Sequence, residues 1–315
     1  IRSCLVGSEM CIRDRPRRHP SCLRGPYAQP LIYPSPTQRN MKGIRGVLAQ
    51  RNLREVQGIV EKALIEYVDE RSEDPAMKYA KDILLAGGKR FRPVLGCLAY
   101  EAAGATLDDK MLRTALSAEI IHTATLVHDD IYDQAKLRRG RPTLHSQHGI
   151  AHGIISGDYL FTLGYWLGAE QGPEVIKVLA ETCIGLANGE LLQFDHIGDL
   201  GTSPEDYYRI IEGKTAGPIA GGCKVAGMVA NADQEIVEAL ESFGWEVGRA
   251  FQMVDDLLDL TGNPRMGKPR GTDIYEGKMT LPIIHALTTL HGNNRENLED
   301  VLMDFSEDRW DELIE

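Results

Sequence analysis

The chain has 315 residues, of which 43% are hydrophobic, and a formal net charge of −11 at pH 7. This length allows one large domain or two modest ones, and the hydrophobic share is ample for a buried core. The negative charge argues against a general surface for nucleic acid or anionic membranes, and no apolar run reaches the length of a membrane-spanning helix.

Residues 1–40 differ from the rest of the chain. They contain six prolines and seven arginines but only two acidic residues, and they show no apolar stripe that could face a core. An organelle transit peptide has a similar composition, but we favour a non-native or disordered leader, with Met41 as the native start. Residues 41–315 are then the functional domain, which we expect to be truncated at its C-terminus.

Six cysteines are scattered along the chain, and none belongs to a CxxC pair. This spacing argues against a disulfide framework or a zinc site and indicates free thiols in a reducing compartment. We therefore expect a cytoplasmic protein.

From Met41 onward, apolar-periodic blocks are separated by Gly, Pro and Asn, and no stretch shows the sustained alternation of a strand. The pattern predicts an all-α fold, a single large helical bundle around a central cavity. The predicted helices cover residues 43–70, 75–86, 91–104, 108–133, 151–170, 173–196, 204–213, 215–230, 233–261, 279–291 and 295–305.

The first stretch that suggests chemistry is AGGKRFRPVL. Gly87 and Gly88 let the backbone approach a ligand, and Lys89 and Arg92 lie at the start of the next helix, where the dipole also attracts anions. By itself the stretch is almost as compatible with an ordinary basic turn. Together with the acidic motifs that follow, it favours a diphosphate site.

The stretch LVHDDIYDQAKLRRGR contains three carboxylates followed by basic residues. Asp129, Asp130 and Asp133 have the spacing i, i+1 and i+4, which places the first and last on one face of a helix. The apolar residues before them predict partial burial, where uncompensated carboxylates are costly, so a cation is expected between them. Arg138 and Arg139 suit bidentate phosphate contacts, or salt bridges to these aspartates, and both roles are compatible.

The same motif returns in FQMVDDLLDL, as Asp255, Asp256 and Asp259. A lone acidic motif is more often a solvated helix face. Two copies in apolar helices are a natural site for Mg²⁺, which bridges carboxylates to substrate phosphates. We therefore predict that the two motifs hold a diphosphate between them through metal.

Several single residues are compatible with this site, although each signal is weak. They are Lys214 and Thr215 in EGKTAGPIAG, Gln252 ahead of the second motif, Lys268 and Lys278 in GKPRGTDIYEGK, and His122, two helical turns before Asp129. A lone core histidine is more often structural, and surface lysines are common.

The ordered series GGKRFRP, HDDIYD, LRRGRPTLH, GKTAG, FQMVDD and GKPRGTD resembles the trans-polyprenyl diphosphate synthases over about residues 44–290. The resemblance implies a homodimer of the isoprenoid synthase fold, in which isopentenyl diphosphate condenses with an allylic diphosphate and pyrophosphate is released. It also implies Mg²⁺ as the cofactor, with three ions when substrate is bound. Ionisation, condensation and elimination of a proton then need no protein nucleophile.

The resemblance implies a role for each motif residue. Metal binding is implied for Asp129, Asp130, Asp133, Asp255, Asp256 and Asp259, and assistance at the allylic site for Arg138, Lys214, Thr215, Gln252 and Lys268. The residues implied to hold isopentenyl diphosphate are Lys89, Arg92, His122 and Arg139. The chain between Asp259 and Lys268 is one residue shorter than is common in the family.

Product length in such an enzyme depends on the depth of the cavity. Ala124 and Thr125 lie about one turn deeper than Asp129, where members that make short products have aromatic residues. Small side chains there leave the tunnel open, which indicates a product of twenty carbons or longer. Tyr159 and Phe161 on the next helix are candidates for its floor.

Three other functions fit parts of the sequence. A class I terpene cyclase also uses an aspartate motif in a helical cavity, but it needs no isopentenyl diphosphate site such as Lys89 and Arg92. A non-catalytic modulatory subunit of a heteromeric synthase is expected to have lost carboxylates from one motif, whereas this chain has all six. A bland acidic helical scaffold is the most distant alternative.

Overall fold

The computed structural model describes residues 53–262 and 270–314. Its α-helices are α1 (Leu53–Glu70), α2 (Met77–Leu84), α3 (Phe91–Ala102), α4 (Asp109–Tyr132), α5 (Leu144–His148), α6 (Ile150–Ala169), α7 (Pro173–Asp195), α8 (Pro204–Ile211), α9 (Gly217–Val229), α10 (Gln234–Thr261), α11 (Thr272–Tyr275), α12 (Leu281–Thr289), α13 (Asn293–Met303) and α14 (Trp310–Ile314). The only sheet in these residues is a hairpin of β1 (Leu137–Arg138) and β2 (Arg141–Pro142). The predicted all-α fold is confirmed.

The long helices agree with the prediction except at their ends. Sequence reasoning missed α5, α11 and α14, which have only four or five residues and therefore show no helical periodicity. It also missed a π-helical turn at Glu212–Ala216, between α8 and α9, and a 3₁₀ turn at Glu307–Arg309. The part of the predicted first helix before Leu53 lies outside the described residues.

Helix α4 is central to the bundle and packs most extensively against α6. A Cβ atom on Gly164 of α6 would lie 2.5 Å from Cγ1 of Ile121 and 3.1 Å from the carbonyl oxygen of Ser117. Only glycine therefore allows the two helices to approach this closely. At the N-terminus of α4, the Asp108 side chain accepts a hydrogen bond from the Met111 backbone N–H at 2.8 Å, which caps the helix.

Helix α10 packs mainly against α9. A Cβ atom on Gly244 of α10 would lie 2.5 Å from Cα of Ala220 on α9, so the two backbones are in direct contact. Helix α8, next to the π turn, begins with a capping box of Ser203 and Asp206. The start of α8 agrees with the sequence prediction.

Two large clusters form the core, and α4 contributes to both. One joins α1, α2, α4 and α6, and the other joins α1, α3, α4, α7 and α9. Cys97, Cys183 and Cys223 are free thiols, as predicted for them. Within the two described ranges, no helix combines the length and apolar character needed to cross a membrane.

Replacing Gly244 by Ala should lower the free energy of unfolding by about 1–3 kcal/mol, because the new methyl group overlaps the Ala220 backbone. Gly58 on α1 is the matched control. A Cβ there meets nothing within 4 Å, and Gly58→Ala should stabilise the protein by about 0.5–1 kcal/mol through helix propensity. Urea unfolding measures both, and a Gly244→Ala variant as stable as the parent would show that α9 and α10 can separate at no cost.

Candidate active site

Both aspartate motifs lie at the C-terminal end of a long helix. Asp129 and Asp130 are in the last turn of α4, and Asp133 is its C-cap. Asp259 is in the last turn of α10, which ends at Thr261. Unpaired carbonyl groups give a helix C-terminus a partial negative charge. The carboxylates add to that charge, so both ends attract cations.

The first motif is short of positive charge. Burial raises the pKa of Asp129 to about 6. The hydrogen bond that Asp129 Oδ1 accepts from the Tyr132 hydroxyl at 2.8 Å lowers this pKa and so offsets part of the rise. Burial also raises the pKa of Asp133, and the Lys278 charge offsets part of this rise. Asp130 is 2% exposed and accepts a hydrogen bond from Arg138 Nε at 2.7 Å. The aspartate–arginine pairing considered from sequence is therefore present.

A chain of hydrogen bonds fixes Asp256 in the second motif. The Tyr207 hydroxyl donates to its Oδ2 at 2.6 Å, and Gln252 Nε2 donates to its Oδ1 at 2.8 Å. The Thr215 hydroxyl donates in turn to Gln252 Oε1 at 2.8 Å. The structure thus connects three residues singled out from the sequence, Thr215, Gln252 and Asp256. Sequence reasoning missed Tyr207, because it belongs to no recognisable motif.

Asp259 ties α10 to the segment that follows it. Its carboxylate accepts hydrogen bonds from the backbone N–H groups of Thr272 at 3.2 Å and Asp273 at 3.1 Å. Burial raises the pKa of Asp273 to about 6, and Lys278 opposes this rise from 3.8 Å. Burial lowers the pKa of Lys278, but the negative charges of Glu276, Asp273 and Asp133 outweigh this effect, so that the Lys278 pKa is raised. Lys278 is therefore within electrostatic reach of Asp133 in the first motif and of Asp273, whose backbone N–H donates to Asp259 of the second.

The donor set suits a hard divalent cation. The side-chain carboxylates of Asp133 and Asp255 accept no hydrogen bond from any described residue. Burial raises the pKa of Asp129, Asp133 and Asp256. Carboxylate oxygens that lack enough positive charge are the ligands expected for Mg²⁺. In the described part of the chain, no group of three or more His, Cys, Asp or Glu residues is arranged to hold a metal.

Apart from the two aspartate motifs, a cationic region surrounds Arg92. Its Nη1 lies 3.1 Å from His122 Nε2, and burial together with the nearby arginines lowers the His122 pKa well below its usual value. The neutral ring can accept an Arg92 N–H. Arg92 Nε is buried without a hydrogen-bond partner in the described residues. Arg139 donates to the Gly87 carbonyl, close to the exposed Lys89.

Arg90, two residues before Arg92, has a structural role. It is 3% exposed with φ +47°, and it pairs with Glu61 at 2.6 Å and Glu119 at 2.7 Å. These ion pairs anchor the glycine turn to α1 and α4. Arg90 is therefore held in internal ion pairs, whereas Arg92 in the same motif keeps a donor without a partner among the described residues.

Lys214 projects from the π turn towards α7. Its Nζ lies 2.7 Å from Glu190 Oε2 and 3.0 Å from Gln193 Oε1. Neither α7 residue was predicted, because each is a common polar residue outside any motif. Lys268 lies outside the described residues.

Two cavities flank α4. The smaller one, about 50 Å³, is lined by residues that include Arg92, His122 and Thr125. The larger one, about 250 Å³, lies on the side of Asp130 and Arg138 and reaches α2 and α5. Thr125 therefore borders the cavity next to the cationic region around Arg92.

The other residues predicted to shape the tunnel lie elsewhere. Ala124 is fully buried in the core cluster with residues of α1, α2 and α6 and lines neither cavity. Tyr159 and Phe161 pack against that same cluster. The Tyr159 hydroxyl donates to Asp74 Oδ2 at 2.8 Å.

These features are those of a helical bundle in which a buried acidic region and a cationic region flank a small apolar cavity. The family model of the polyprenyl synthetases matches residues 74–315. The chain belongs to the polyprenyl synthetase family and is a trans-prenyltransferase.

Individual relatives agree with this assignment. Heptaprenyl diphosphate synthase component 2 of Geobacillus stearothermophilus is 40% identical, over 68% of this chain and 67% of that protein. The structure of a decaprenyl diphosphate synthase from Rhodobacter capsulatus has a TM-score of 0.76 at 32% identity and covers 83% of each chain. A polyprenyl synthase from Caulobacter crescentus, solved with calcium and isoprenyl diphosphate, has a TM-score of 0.74 at 30% identity and covers 85% of this chain and 84% of its own. Products named among the relatives and solved structures range from geranylgeranyl to decaprenyl diphosphate, and two archaeal relatives are named short chain isoprenyl diphosphate synthases.

Tyr207→Phe should lower the free energy of unfolding by about 1–3 kcal/mol, because it removes a buried hydrogen bond to the Asp256 carboxylate. Tyr208→Phe is the matched control, since the Tyr208 hydroxyl makes no hydrogen bond to a described residue. Denaturant unfolding of both variants tests this. An equal effect of the two substitutions would contradict the role assigned to the Tyr207 hydroxyl.

Proposed function

We propose that the enzyme condenses isopentenyl diphosphate with an allylic diphosphate, head to tail and in the trans configuration, and that the reaction requires Mg²⁺. The observation that carries this proposal is the presence of two separate regions suited to diphosphate. One is formed by the aspartate motifs, the first of which lies within electrostatic reach of Lys278. The other surrounds Arg92 and His122, beside an apolar cavity.

The two aspartate motifs would hold the metal and, through it, the allylic diphosphate. Bound Mg²⁺ would supply Lewis-acid assistance to the departure of pyrophosphate. Lys214 and Arg138 would offset the negative charge that develops on this leaving group. Thr215 and Gln252 would act by holding Asp256 in place.

Isopentenyl diphosphate would bind in the second region. Arg92, Arg139 and Lys89 supply positive charge there, and the unpaired Nε of Arg92 is a free donor with respect to the described residues. Neutral His122 would orient Arg92 without adding charge. The apolar cavity would keep water from the allylic cation until it is attacked by the isopentenyl double bond.

The proposed product has twenty carbons or more. The small Thr125 side chain at the cavity supports this length, and so do the relatives named for geranylgeranyl and octaprenyl products, whereas two relatives are named short chain synthases. The assembly proposed is a homodimer. A second arrangement, as one subunit of a two-component synthase, is favoured by the name of the Geobacillus relative. Light scattering of the protein alone, combined with its activity alone, separates these two arrangements.

The reaction is tested by incubating the protein with isopentenyl diphosphate, Mg²⁺ and dimethylallyl, geranyl or farnesyl diphosphate, followed by chromatography of the dephosphorylated products. We expect chain elongation that EDTA abolishes. Asp129→Ala and Asp255→Ala should each reduce the rate by about 100-fold or more, because each removes a carboxylate that would hold the Mg²⁺ assisting the departure of pyrophosphate.

Asp109→Ala, at the exposed opposite end of α4, is the control and should leave the rate nearly unchanged. Folded protein that elongates none of the primers would contradict the proposal. Cyclised hydrocarbons in place of prenyl alcohols would indicate a terpene cyclase, and elongation only after addition of a partner would indicate a heteromeric enzyme.

Thr125→Phe should shorten the longest product by one or more five-carbon units, because the ring fills the cavity of about 50 Å³ beside Arg92. Thr162→Phe, on the exposed face of α6, is the control and should leave the product unchanged. Chromatography of the prenyl alcohols reads the result. An unchanged product from Thr125→Phe would mean that the growing chain follows another path.

A further inference from the structure

Glu190 belongs to no motif, yet its carboxylate lies among the active-site side chains. It is on α7 and is 8% exposed. Lys214 Nζ lies 2.8 Å from its Oε1 and 2.7 Å from its Oε2, and Gln193 Oε1 lies 3.0 Å from the same nitrogen. An ammonium group has three donors; the two Glu190 oxygens are nearly equidistant from Nζ and can share one of them, so Glu190 and Gln193 orient Lys214 and leave it a donor for a ligand.

Glu190 also lies close to the first aspartate motif. Tyr132, the fourth residue of that motif, donates its hydroxyl to Asp129 Oδ1 at 2.8 Å, and the nearby Glu190 carboxylate helps to raise the pKa of that hydroxyl. Glu190 is near enough to act electrostatically on Asp129 and Asp133. A single carboxylate therefore links the end of α4 to the lysine of the π turn.

Glycine contacts explain why the π turn and α7 are so close. A Cβ atom on Gly213 would lie 2.6 Å from the Gly185 carbonyl oxygen and 2.9 Å from Gly189 Cα. A Cβ on Gly189 would lie 3.0 Å from the backbone nitrogen of Lys214. Backbone touches backbone directly beside the Lys214–Glu190 pair, so the fold fixes the distance between the two backbones from which these side chains extend.

We propose that Glu190 is a positioning residue for Lys214. It holds the ammonium in the orientation needed to meet the departing pyrophosphate, with Gln193 as the second support. A lysine side chain is long and flexible, and fixing it before the reaction removes the reorganisation that would otherwise accompany charge development. The inference rests on the proposed condensation reaction and adds to it a residue outside every motif.

The test is Glu190→Gln, with kcat and KM measured separately for each substrate. We expect kcat to fall by about tenfold to 100-fold, because the neutral amide holds the ammonium less firmly and misplacement of a catalytic group is costly. The KM for the allylic diphosphate should not rise, since the substitution removes a negative charge near the diphosphate. Gln193→Leu should lower kcat in the same direction by a smaller factor.

A double-mutant cycle separates positioning from a merely structural ion pair. If Glu190 acts through Lys214, then adding Glu190→Gln to Lys214→Met should cause no further loss of kcat. Glu181→Gln, an exposed glutamate on the same helix, is the matched control and should match the parent protein. Unfolding curves of all variants verify that they are folded, and Gln193→Leu keeps the test decisive if Glu190→Gln does not fold.

Parent-like kcat in both Glu190→Gln and Gln193→Leu would overturn the inference. So would a loss on adding Glu190→Gln to Lys214→Met that equals the loss in the parent. An inactive but folded parent protein is a different result, because it would overturn the proposed condensation and this inference with it.

Discussion

Negative charge is concentrated at the C-terminal ends of two helices, and the arrangement of the site follows from it. The ends of α4 and α10 already carry the partial charge of unpaired carbonyl groups, and each helix adds three carboxylates within about two turns of its end. Neighbouring groups compensate only part of this charge. Arg138 neutralises the Asp130 carboxylate, and Tyr207 donates a hydrogen bond to the Asp256 carboxylate. The Asp133 carboxylate accepts no hydrogen bond from a described residue. A cation bound as proposed would offset the remaining charge and would stabilise the folded protein in proportion to its binding.

Close backbone contacts hold these charged ends in place. Glycine lets α6 approach α4 at Gly164, lets α10 approach α9 at Gly244, and lets the π turn lie on α7 at Gly213. In each pair, one member carries residues of the site. Repulsion between carboxylates would tend to separate the helix ends, and direct backbone packing resists that separation because protein interiors give way very little. Apolar packing away from the chemistry thus determines the distances within the site.

Sequence periodicity and motif spacing were sufficient for the long helices and for the residues of the two acidic motifs, because these signals repeat within one element. Contacts between elements could not be predicted in this way. Glu190 and Tyr207 are ordinary residues whose importance arises only from what the fold places beside them. The same limit applies to adjacent positions on one helix. Successive residues differ by about 100° around the axis, so only the packed structure shows that Thr125 borders a cavity and Ala124 does not.

The π turn at Glu212–Ala216 restricts how this segment can vary between related proteins. A π turn closes its hydrogen bond over one residue more than an α turn does. Removing a single residue would let α8 run into α9 as one regular helix, and everything on one side would rotate by about 100° relative to the other. Lys214 would then leave the surface of α7, or Ala220 of α9 would lose its contact with Gly244 of α10. Residue types here can drift, but an insertion or deletion of even one residue dismantles the site, so evolution should preserve the length of this segment more strictly than its composition.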